Sequence, residues 1–246
     1  MRPFLTCSWM MKHRPTMPET QLIATDIDYT LTDADLRLDT GAVEKIRELE
    51  ARGVKVILIS GRNLPATGSL AQLIGTSGLV VAENGGVIAR YQTPIQVLGR
   101  IENARSALRV LSKTMGREVI ERPDSKLGMR LSSISLERSF DFEEAKKLIR
   151  ARRMPVDIID TGVTYILMDH RVSKGEALVR LARMAELSLS RSAGIGDNFN
   201  DLSLFEKVAY KIAVANAPEE VKQQANFVCT RSYGKGFLEA VAHLGL

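Results

Sequence analysis

Apolar runs alternate with amphipathic stretches in the first third of the chain. The runs Leu22–Asp28 and Val54–Ser60 predict strands, and the second is so rich in β-branched and aliphatic residues that we expect both of its faces to be buried. Residues 42–52 and 64–74 carry apolar positions at helical spacing, and residues 78–83 predict a third strand. This alternation predicts a parallel sheet with right-handed crossovers.

The pattern changes after the paired glycines Gly85 and Gly86. Residues 87–91 are typical of a hairpin arm, and helix-like and strand-like stretches then follow in mixed order. The helices predicted there span 104–113 and 142–152, and the strands span 126–136, 157–160 and 164–168. The regular alternation resumes with a helix over 174–185. It continues through strands 192–196, 209–214 and 227–230 and helices 201–207, 219–224 and 236–243.

The predicted fold class is therefore α/β, with a Rossmann-like doubly wound parallel sheet as the core. Residues 21–86 and 169–246 are expected to form this core, and residues 87–168 to form an inserted, smaller α+β cap domain. The insert is long enough to bury a small core of its own. Residues 1–20 are too short and too interrupted by basic residues for a secretory signal, so we expect a disordered N-terminal extension.

Composition narrows the class of protein without indicating a partner. The 45% hydrophobic and 26% charged content of the 246 residues is typical of a globular protein. Only Cys7 and Cys229 are present, so a disulfide framework is excluded and a cytoplasmic location is expected. No apolar run approaches the roughly 20 residues that a membrane-spanning helix needs. A homodimer is compatible with the sequence.

The net charge of +5 is concentrated in the predicted cap. Residues 87–168 hold fifteen Lys and Arg against ten Asp and Glu, and the rest of the chain holds nineteen of each. One interpretation is a positive surface that attracts a small anionic substrate. A second is a set of solvated helix faces, and a third is a nucleic-acid surface, which the scarcity of aromatic residues there disfavours.

Carboxylates follow two of the predicted core strands. Asp26 and Asp28 end the first strand, and Asp197 and Asp201 follow the run that ends at residue 196. Burying such charges without a partner is costly, so carboxylate pairs at strand ends usually hold a cation or perform chemistry. Each could instead cap a helix. The carboxyl ends of parallel strands line one crevice, however, which predicts that the two pairs meet.

Two further polar residues occupy comparable positions. Ser60 ends the second strand, and Lys174 opens the helix that leads back into the core. Taken singly, Ser60 would be a helix cap and Lys174 a solvated surface residue. Their order in the chain, between the two carboxylate pairs, favours a shared site.

The order carboxylate pair, Ser, Lys, carboxylate pair resembles the haloacid dehalogenase-like phosphohydrolase superfamily, with all four signature motifs present. The insertion point resembles the branch that carries an α/β cap after the third core strand. Within that branch the chain is most similar to the archaeal-type phosphoglycolate phosphatases. This similarity rests on residues 30–33, 83–86, 196–201 and 233–234. Two positions depart from the pattern: position 29 is Tyr where these families usually have Gly, and position 62 is Arg where the phosphoglycolate group more often has Asn.

The resemblance implies a division of catalytic labour. Asp26 is the expected nucleophile, forming an aspartyl-phosphate, and Asp28 the expected acid and base for the leaving group and the water. Ser60 and Lys174 are expected to bind the phosphoryl oxygens. Thr30 is expected to brace the Asp28 carboxylate.

The expected cofactor is Mg²⁺, because the available donors are hard oxygens. Its expected ligands are Asp26, Asp197, Asp201 and the backbone carbonyl of Asp28. Asp201 could instead orient Lys174 or cap a helix, and these roles are compatible. The three histidines of the chain form no cluster with the cysteines, so zinc is disfavoured.

The leading hypothesis is an Mg²⁺-dependent phosphatase for a small phosphate monoester, with 2-phosphoglycolate as the preferred substrate. A sugar-phosphate phosphatase or phosphomutase of the same fold is the alternative, which Arg62 favours. A non-catalytic nucleic-acid-binding or partner-binding protein is the rival from another class. If the substrate carries a carboxylate, a basic cap residue should bind it, and the candidates are Arg122, Lys126 and Arg130. Asn84 is expected to be structural, in a turn.

Overall fold

An eight-stranded and a three-stranded sheet organise the protein, whose computed structural model describes residues 20–246. The strands are β1 (Leu22–Thr25), β2 (Lys55–Ile59), β3 (Leu79–Ala82), β4 (Val87–Arg90), β5 (Thr93–Val97), β6 (Ser133–Leu136), β7 (Val156–Asp160), β8 (Tyr165–Asp169), β9 (Ser192–Gly196), β10 (Tyr210–Ala213) and β11 (Phe227–Val228). The α-helices are α1 (Thr40–Ala51), α2 (Leu64–Ile74), α3 (Ile101–Met115), α4 (Pro123–Lys126), α5 (Phe142–Ala151), α6 (Lys174–Met184), α7 (Leu202–Phe205), α8 (Glu219–Lys222) and α9 (Tyr233–His243). The expected extension lies, apart from Thr20, outside the described residues.

The larger sheet has the order β11-β10-β9-β1-β2-β3-β4-β5. All pairs from β11 to β3 are parallel, and the β3–β4 and β4–β5 pairs are antiparallel. Strand β1 lies between β2 and β9, so the loops that follow these three strands emerge side by side. The predicted doubly wound α/β core is thereby confirmed.

Alternating side chains of β1 show how the core is layered. Ile23 packs on the face covered by α1, α2 and α9, whereas Leu22 and Ala24 pack on the face covered by α6 and α7. Both faces are therefore buried, as expected for a parallel strand with helices on either side. A sheet buried in this way holds the residues at its carboxyl edge in a fixed frame.

The smaller sheet has the order β6-β8-β7 and is antiparallel throughout. It packs against α3 and α5 around a separate apolar cluster that includes Leu111, Phe140 and Leu167. The first residues of the expected insert, 87–97, belong to the larger sheet instead, because the apolar strand β4 pairs with β3. The second unit, defined by the smaller sheet and the helices that pack on it, comprises residues 101–169.

The predicted strand 126–136 is wrong in its first half. Pro123 opens the short helix α4, as proline does at a first helical position, and Gly128 adopts a φ of 69°, which turns the chain. Only residues Ser133–Leu136 pair as a strand. Among residues 20–246, no helix combines the length and apolar character needed to cross a bilayer.

Candidate active site

Asp26 lies in the loop directly after β1, at the carboxyl edge of the larger sheet. Its N–H donates to the carbonyl of Ile195 at 2.9 Å, and one carboxylate oxygen accepts from the N–H of Ile27 at 2.8 Å. The residue is only 5% exposed. A carboxylate with one oxygen fixed by the backbone and little solvent around it is well placed for reaction with a bound substrate.

Lys174 lies between the carboxylates of Asp26 and Asp201. It opens helix α6, whose N-cap is the Ser173 side chain, and it is 1% exposed. Its Nζ lies 3.0 Å from Asp26 Oδ1 and 2.7 Å from Asp201 Oδ1. Burial by itself lowers the pKa of this amine, but the Asp201 and Asp26 carboxylates outweigh burial and raise it. Lys174 therefore stays a cation.

Asp26, Asp197 and Asp201 form a buried acidic cluster. Each offers one carboxylate oxygen, and these oxygens all lie within 4.8 Å of one another. Burial, followed by the Asp201 charge, raises the pKa of Asp26, and the same two causes raise the pKa of Asp197 to about 7. With every group ionised, three carboxylates and the Lys174 ammonium carry a net charge of −2. Such an excess of buried negative charge suits a divalent cation.

Hydrogen bonds made by Asp201 and by the neighbouring Thr30 organise the cluster. The Asp201 Oδ2 atom accepts from the N–H groups of Asp197 and Asn198 at 3.0 and 3.1 Å, while Oδ1 holds Lys174. Asp201 thus orients both the lysine and the loop after β9. The Thr30 hydroxyl donates to Asp197 Oδ1 at 2.8 Å, so the expectation that Thr30 braces Asp28 is wrong. Thr30 follows Tyr29, whose φ is 60°, and its side chain contacts the residue directly after β9.

Asp28 is held by Arg62 from the loop after β2. The Arg62 Nε atom lies 3.0 and 3.1 Å from the two Asp28 oxygens, and Nη2 lies 2.5 Å from Oδ1. The hydrogen bond with Asp28 raises the pKa of Arg62. The two side chains are 22% and 35% exposed, so the pair faces a solvent-accessible space. The arginine fixes the orientation of the Asp28 carboxylate at the edge of the cavity.

Ser60 lies beneath this loop. It is fully buried, its N–H donates to the carbonyl of Val81, and its hydroxyl accepts from the N–H of Arg62 at 3.1 Å. Gly61 and Arg62 line the adjacent cavity, whereas Ser60 is not among its lining residues. The contact expected between Ser60 and a phosphoryl oxygen stays a prediction.

A cavity of about 530 Å³ opens between the two units above Asp26. Its walls combine acidic groups with one arginine of the core, two arginines of the cap and apolar cap side chains. Representative lining residues are Asp26, Asp28, Arg62, Arg122, Met129 and Val163. The cavity joins the candidate reacting groups to a mixed polar and apolar surface of the cap.

The three basic cap candidates differ in their surroundings. Arg122 lines the cavity and donates to Glu137 at 3.0 Å, with 35% of its side chain exposed. Arg130 also lines the cavity, but its guanidinium already donates to Asp124, to the Ser133 hydroxyl and to the Gly61 carbonyl. Lys126 is exposed and outside the cavity lining. Arg122 is therefore the best-placed cap cation for an anionic leaving group.

Glu83 is a buried carboxylate that sequence reasoning missed. It lies at the end of β3 with a φ of 54° and no exposed surface. Its two oxygens accept from the N–H groups of Leu131 and Ser132 and from the hydroxyls of Ser132 and Ser133. These donors precede or open β6, so Glu83 fastens the second unit to the core. A glutamate next to an Asn-Gly-Gly turn gave no signal of such a distant contact.

The neighbouring Asn84 makes more than a turn. Asn200, which lines the cavity, donates through Nδ2 to Asn84 Oδ1 at 3.0 Å. Among the described residues, Asn84 Nδ2 and Asn200 Oδ1 are buried polar atoms without a hydrogen-bond partner. Such atoms usually find a partner in bound water or ligand. The turn at residues 83–86 therefore also contributes a side chain at the edge of the site.

Comparison with known proteins identifies the family of the chain. A sequence profile of haloacid dehalogenase-like hydrolases matches residues 23–109 and 128–241. A phosphoglycolate phosphatase of Archaeoglobus fulgidus is 40% identical over 225 residues, which cover 91% of this chain and 96% of that protein. Another, from Methanoculleus marisnigri, is 37% identical over 220 residues, covering 89% and 94%. The crystal structure of Thermoplasma acidophilum 0175 has a TM-score of 0.81 at 28% identity, covering 93% of this chain and 99% of its own. The resemblance inferred from the four motifs is confirmed.

Proposed function

The chain belongs to the haloacid dehalogenase-like hydrolases and is a phosphatase, and from this premise we propose that it hydrolyses 2-phosphoglycolate through an aspartyl-phosphate on Asp26. The observation that carries the proposal is the buried cluster in which Lys174 and three carboxylates meet beside the cavity. A surface that merely bound a partner would have no use for so many costly buried charges.

The geometry supports a two-step displacement. A carboxylate oxygen of Asp26 attacks phosphorus while the bond between phosphorus and the ester oxygen breaks, and Asp28 gives its proton to the departing oxygen. Water then attacks the phosphorus of the aspartyl-phosphate, Asp28 takes the proton of that water, and Asp26 is released. Lys174, fixed at 3.0 Å from Asp26, offsets the negative charge that gathers on the phosphoryl oxygens.

The acidic cluster fits Mg²⁺ as the cofactor. Its donors are carboxylate oxygens, the ligand type that this ion prefers, and the cluster carries more negative than positive charge. Asp26 and Asp197 would hold the ion together with the Asp28 backbone carbonyl, and Asp201 would join them or keep its bonds to Lys174 and the loop. When bound, Mg²⁺ supplies positive charge that lowers the repulsion between the nucleophile and the phosphate.

The proposed substrate follows from the relatives and from the cavity. Phosphoglycolate is the substrate named for the two archaeal relatives. It carries a carboxylate next to its phosphate, and Arg122 and Arg62 are the cavity-lining arginines with more than a third of the side chain exposed. Arginine binds carboxylates through two parallel hydrogen bonds. We therefore assign recognition of the substrate carboxylate to Arg122, with Arg62 beside the leaving oxygen.

Release of inorganic phosphate from a panel of esters tests the proposal. The panel holds 2-phosphoglycolate, 3-phosphoglycerate, hexose 1- and 6-phosphates and p-nitrophenyl phosphate, each with Mg²⁺ and with EDTA. Asp26→Asn should abolish turnover. The control Asp35→Asn makes the same change at an exposed carboxylate and should leave turnover intact. Turnover that survives Asp26→Asn or EDTA would exclude the mechanism. Preference for hexose phosphates, or their isomerisation without phosphate release, would favour the sugar-phosphatase or mutase alternative instead.

A further inference from the structure

Tyr29 occupies a backbone conformation that suits glycine. Its φ is 60°, in the left-handed region that a bulky side chain adopts only at a cost in free energy. Two hydrogen bonds keep it there: its N–H donates to the Thr32 hydroxyl at 2.8 Å, and its carbonyl accepts from Asn216 Nδ2 at 2.9 Å. A glycine would meet the same backbone requirement without the strain, so the backbone does not explain the ring.

The ring of Tyr29 extends from the nucleophile loop to the second unit. Tyr29 lines the cavity together with Asp28, and a Cβ placed on Gly162 would lie 3.5 Å from Tyr29 Cε2. Gly162 belongs to the β7–β8 turn, whose neighbours Thr161 and Val163 also line the cavity. Partial burial and the nearby Asp28 carboxylate raise the pKa of the phenol, in agreement with this position. The ring therefore stands beside the residue that protonates the leaving group.

We propose that Tyr29 sets an upper limit on the size of the leaving group and makes the enzyme selective for phosphate esters of short acids or alcohols over hexose phosphates. The proposal rests on the phosphatase function described above and adds a residue that determines specificity. The steric argument is direct, because the ring fills space next to Asp28 that glycine would leave open. On this proposal, a leaving group with a six-carbon chain or ring competes with the Tyr29 side chain for that space, whereas a two-carbon group does not.

The test compares kcat/KM for glucose 6-phosphate and for 2-phosphoglycolate, expressed as the ratio of the first to the second. Removing the ring with Tyr29→Gly should raise this ratio by about tenfold or more, the scale of discrimination that a few carbon atoms provide in a pocket. Tyr29→Ala should act in the same direction, and Tyr29→Trp in the opposite one. Tyr29→Phe should leave the ratio within about threefold, because bulk rather than the hydroxyl carries the effect.

Glu186→Gly is the matched control for relief of backbone strain. Glu186 also has a left-handed φ, of 56°, but it is exposed at the end of α6. Both Glu186→Gly and Tyr29→Gly should gain thermal stability from the relief of backbone strain. Only Tyr29→Gly should change the ratio of the two kcat/KM values. A ratio in Tyr29→Gly and Tyr29→Ala that equals the wild-type ratio, including equal losses on both substrates, overturns the proposal. A wild-type enzyme inactive on every ester refutes the proposed function instead, so the two failures are distinguishable.

Discussion

Replacing Lys174 with methionine removes one charge from the centre of the site and little volume. The ammonium is the counter-ion of Asp26 and Asp201, with N–O distances of 3.0 and 2.7 Å, and it is 1% exposed. Methionine fills similar space, so the main consequence is electrostatic. The variant leaves a buried cluster of three carboxylates without its cation.

The expected loss of stability is large for one side chain. Removing one partner of a buried ion pair costs about 3–5 kcal/mol, because the remaining charge is buried without compensation. For a chain of this length, that loss corresponds to a fall in Tm of about 6–20 °C. Burial and mutual repulsion already raise the pKa of Asp26, and the loss of Lys174 raises it further. The loss should therefore be smaller at pH 5.5 than at pH 8, because a protonated carboxyl needs no counter-ion.

Thermal melts at both pH values, with EDTA and with saturating Mg²⁺, measure this effect. Mg²⁺ should restore more stability to Lys174→Met than to the wild type, since the ion supplies the missing charge. The matched control is Lys207→Met, which breaks an ion pair of the same 2.7 Å length with Glu176 at an exposed site and should shift Tm by at most about 2–4 °C. If the two variants melt within about 2 °C of each other in EDTA at pH 8, the electrostatic reasoning is wrong.

Three other predictions concern the hydrogen bonds of Glu83 to the second unit, the metal and the substrate. Glu83→Gln should destabilise the protein by about 2–3 kcal/mol in urea unfolding, because either orientation of the amide sets its NH₂ against the backbone N–H of Leu131 or of Ser132. Unchanged stability would show that the hydrogen bonds between Glu83 and the second unit are not formed. Because the pKa of Asp197 is raised to about 7 from near 4 in an unfolded chain, the folded, metal-free protein binds more protons. Its Tm should therefore fall as pH rises from about 4 to 7, while calorimetry should show Mg²⁺ binding more tightly over the same interval, and a flat profile for both would contradict this. Arg122→Ala should lower kcat/KM for 2-phosphoglycolate by about 2–4 kcal/mol in transition-state free energy and barely change that for p-nitrophenyl phosphate, and equal losses on both would remove Arg122 from substrate recognition.

The core of the fold was predictable because its signals are local. Each buried strand is a short aliphatic run, and each helix carries its own apolar stripe, so β2 and α2 were placed correctly within a residue or two. The hairpin β4–β5 was assigned to the wrong unit because the sequence of a strand does not show which other strand it pairs with. Its second arm, Thr93–Val97, is exposed at every position and carries no core signal. The hairpin belongs to the larger sheet because its first arm, β4, pairs with β3.

The contacts within the site were likewise predictable only in part. Asp26, Asp197 and Asp201 were predicted to meet because they follow core strands, and parallel strands bring such positions to one edge. Lys174 was predicted to join them because it opens the helix that leads back into the core. Thr30 was assigned to the wrong carboxylate because its partner Asp197 lies 167 positions away along the chain, and no local pattern marks that contact.

The contacts between the two units could be predicted neither from local apolar patterns nor from the position of polar residues next to core strands. Glu83 receives hydrogen bonds from residues almost fifty positions away, and Arg130 donates to the carbonyl of Gly61 in the loop that carries Arg62. Nothing in either segment marks it as half of a pair. The cap segment before β6 is hydrogen-bonded to the same loop that holds Asp28. The position of the cap and the orientation of Asp28, the proposed acid, are therefore physically connected. A substitution in the cap, such as Arg130→Ala, should therefore alter turnover of p-nitrophenyl phosphate as well, even though this ester has no carboxylate. Arg122→Ala should not, and a measurement of both variants on both substrates separates coupling of the cap to the core from recognition of the leaving group.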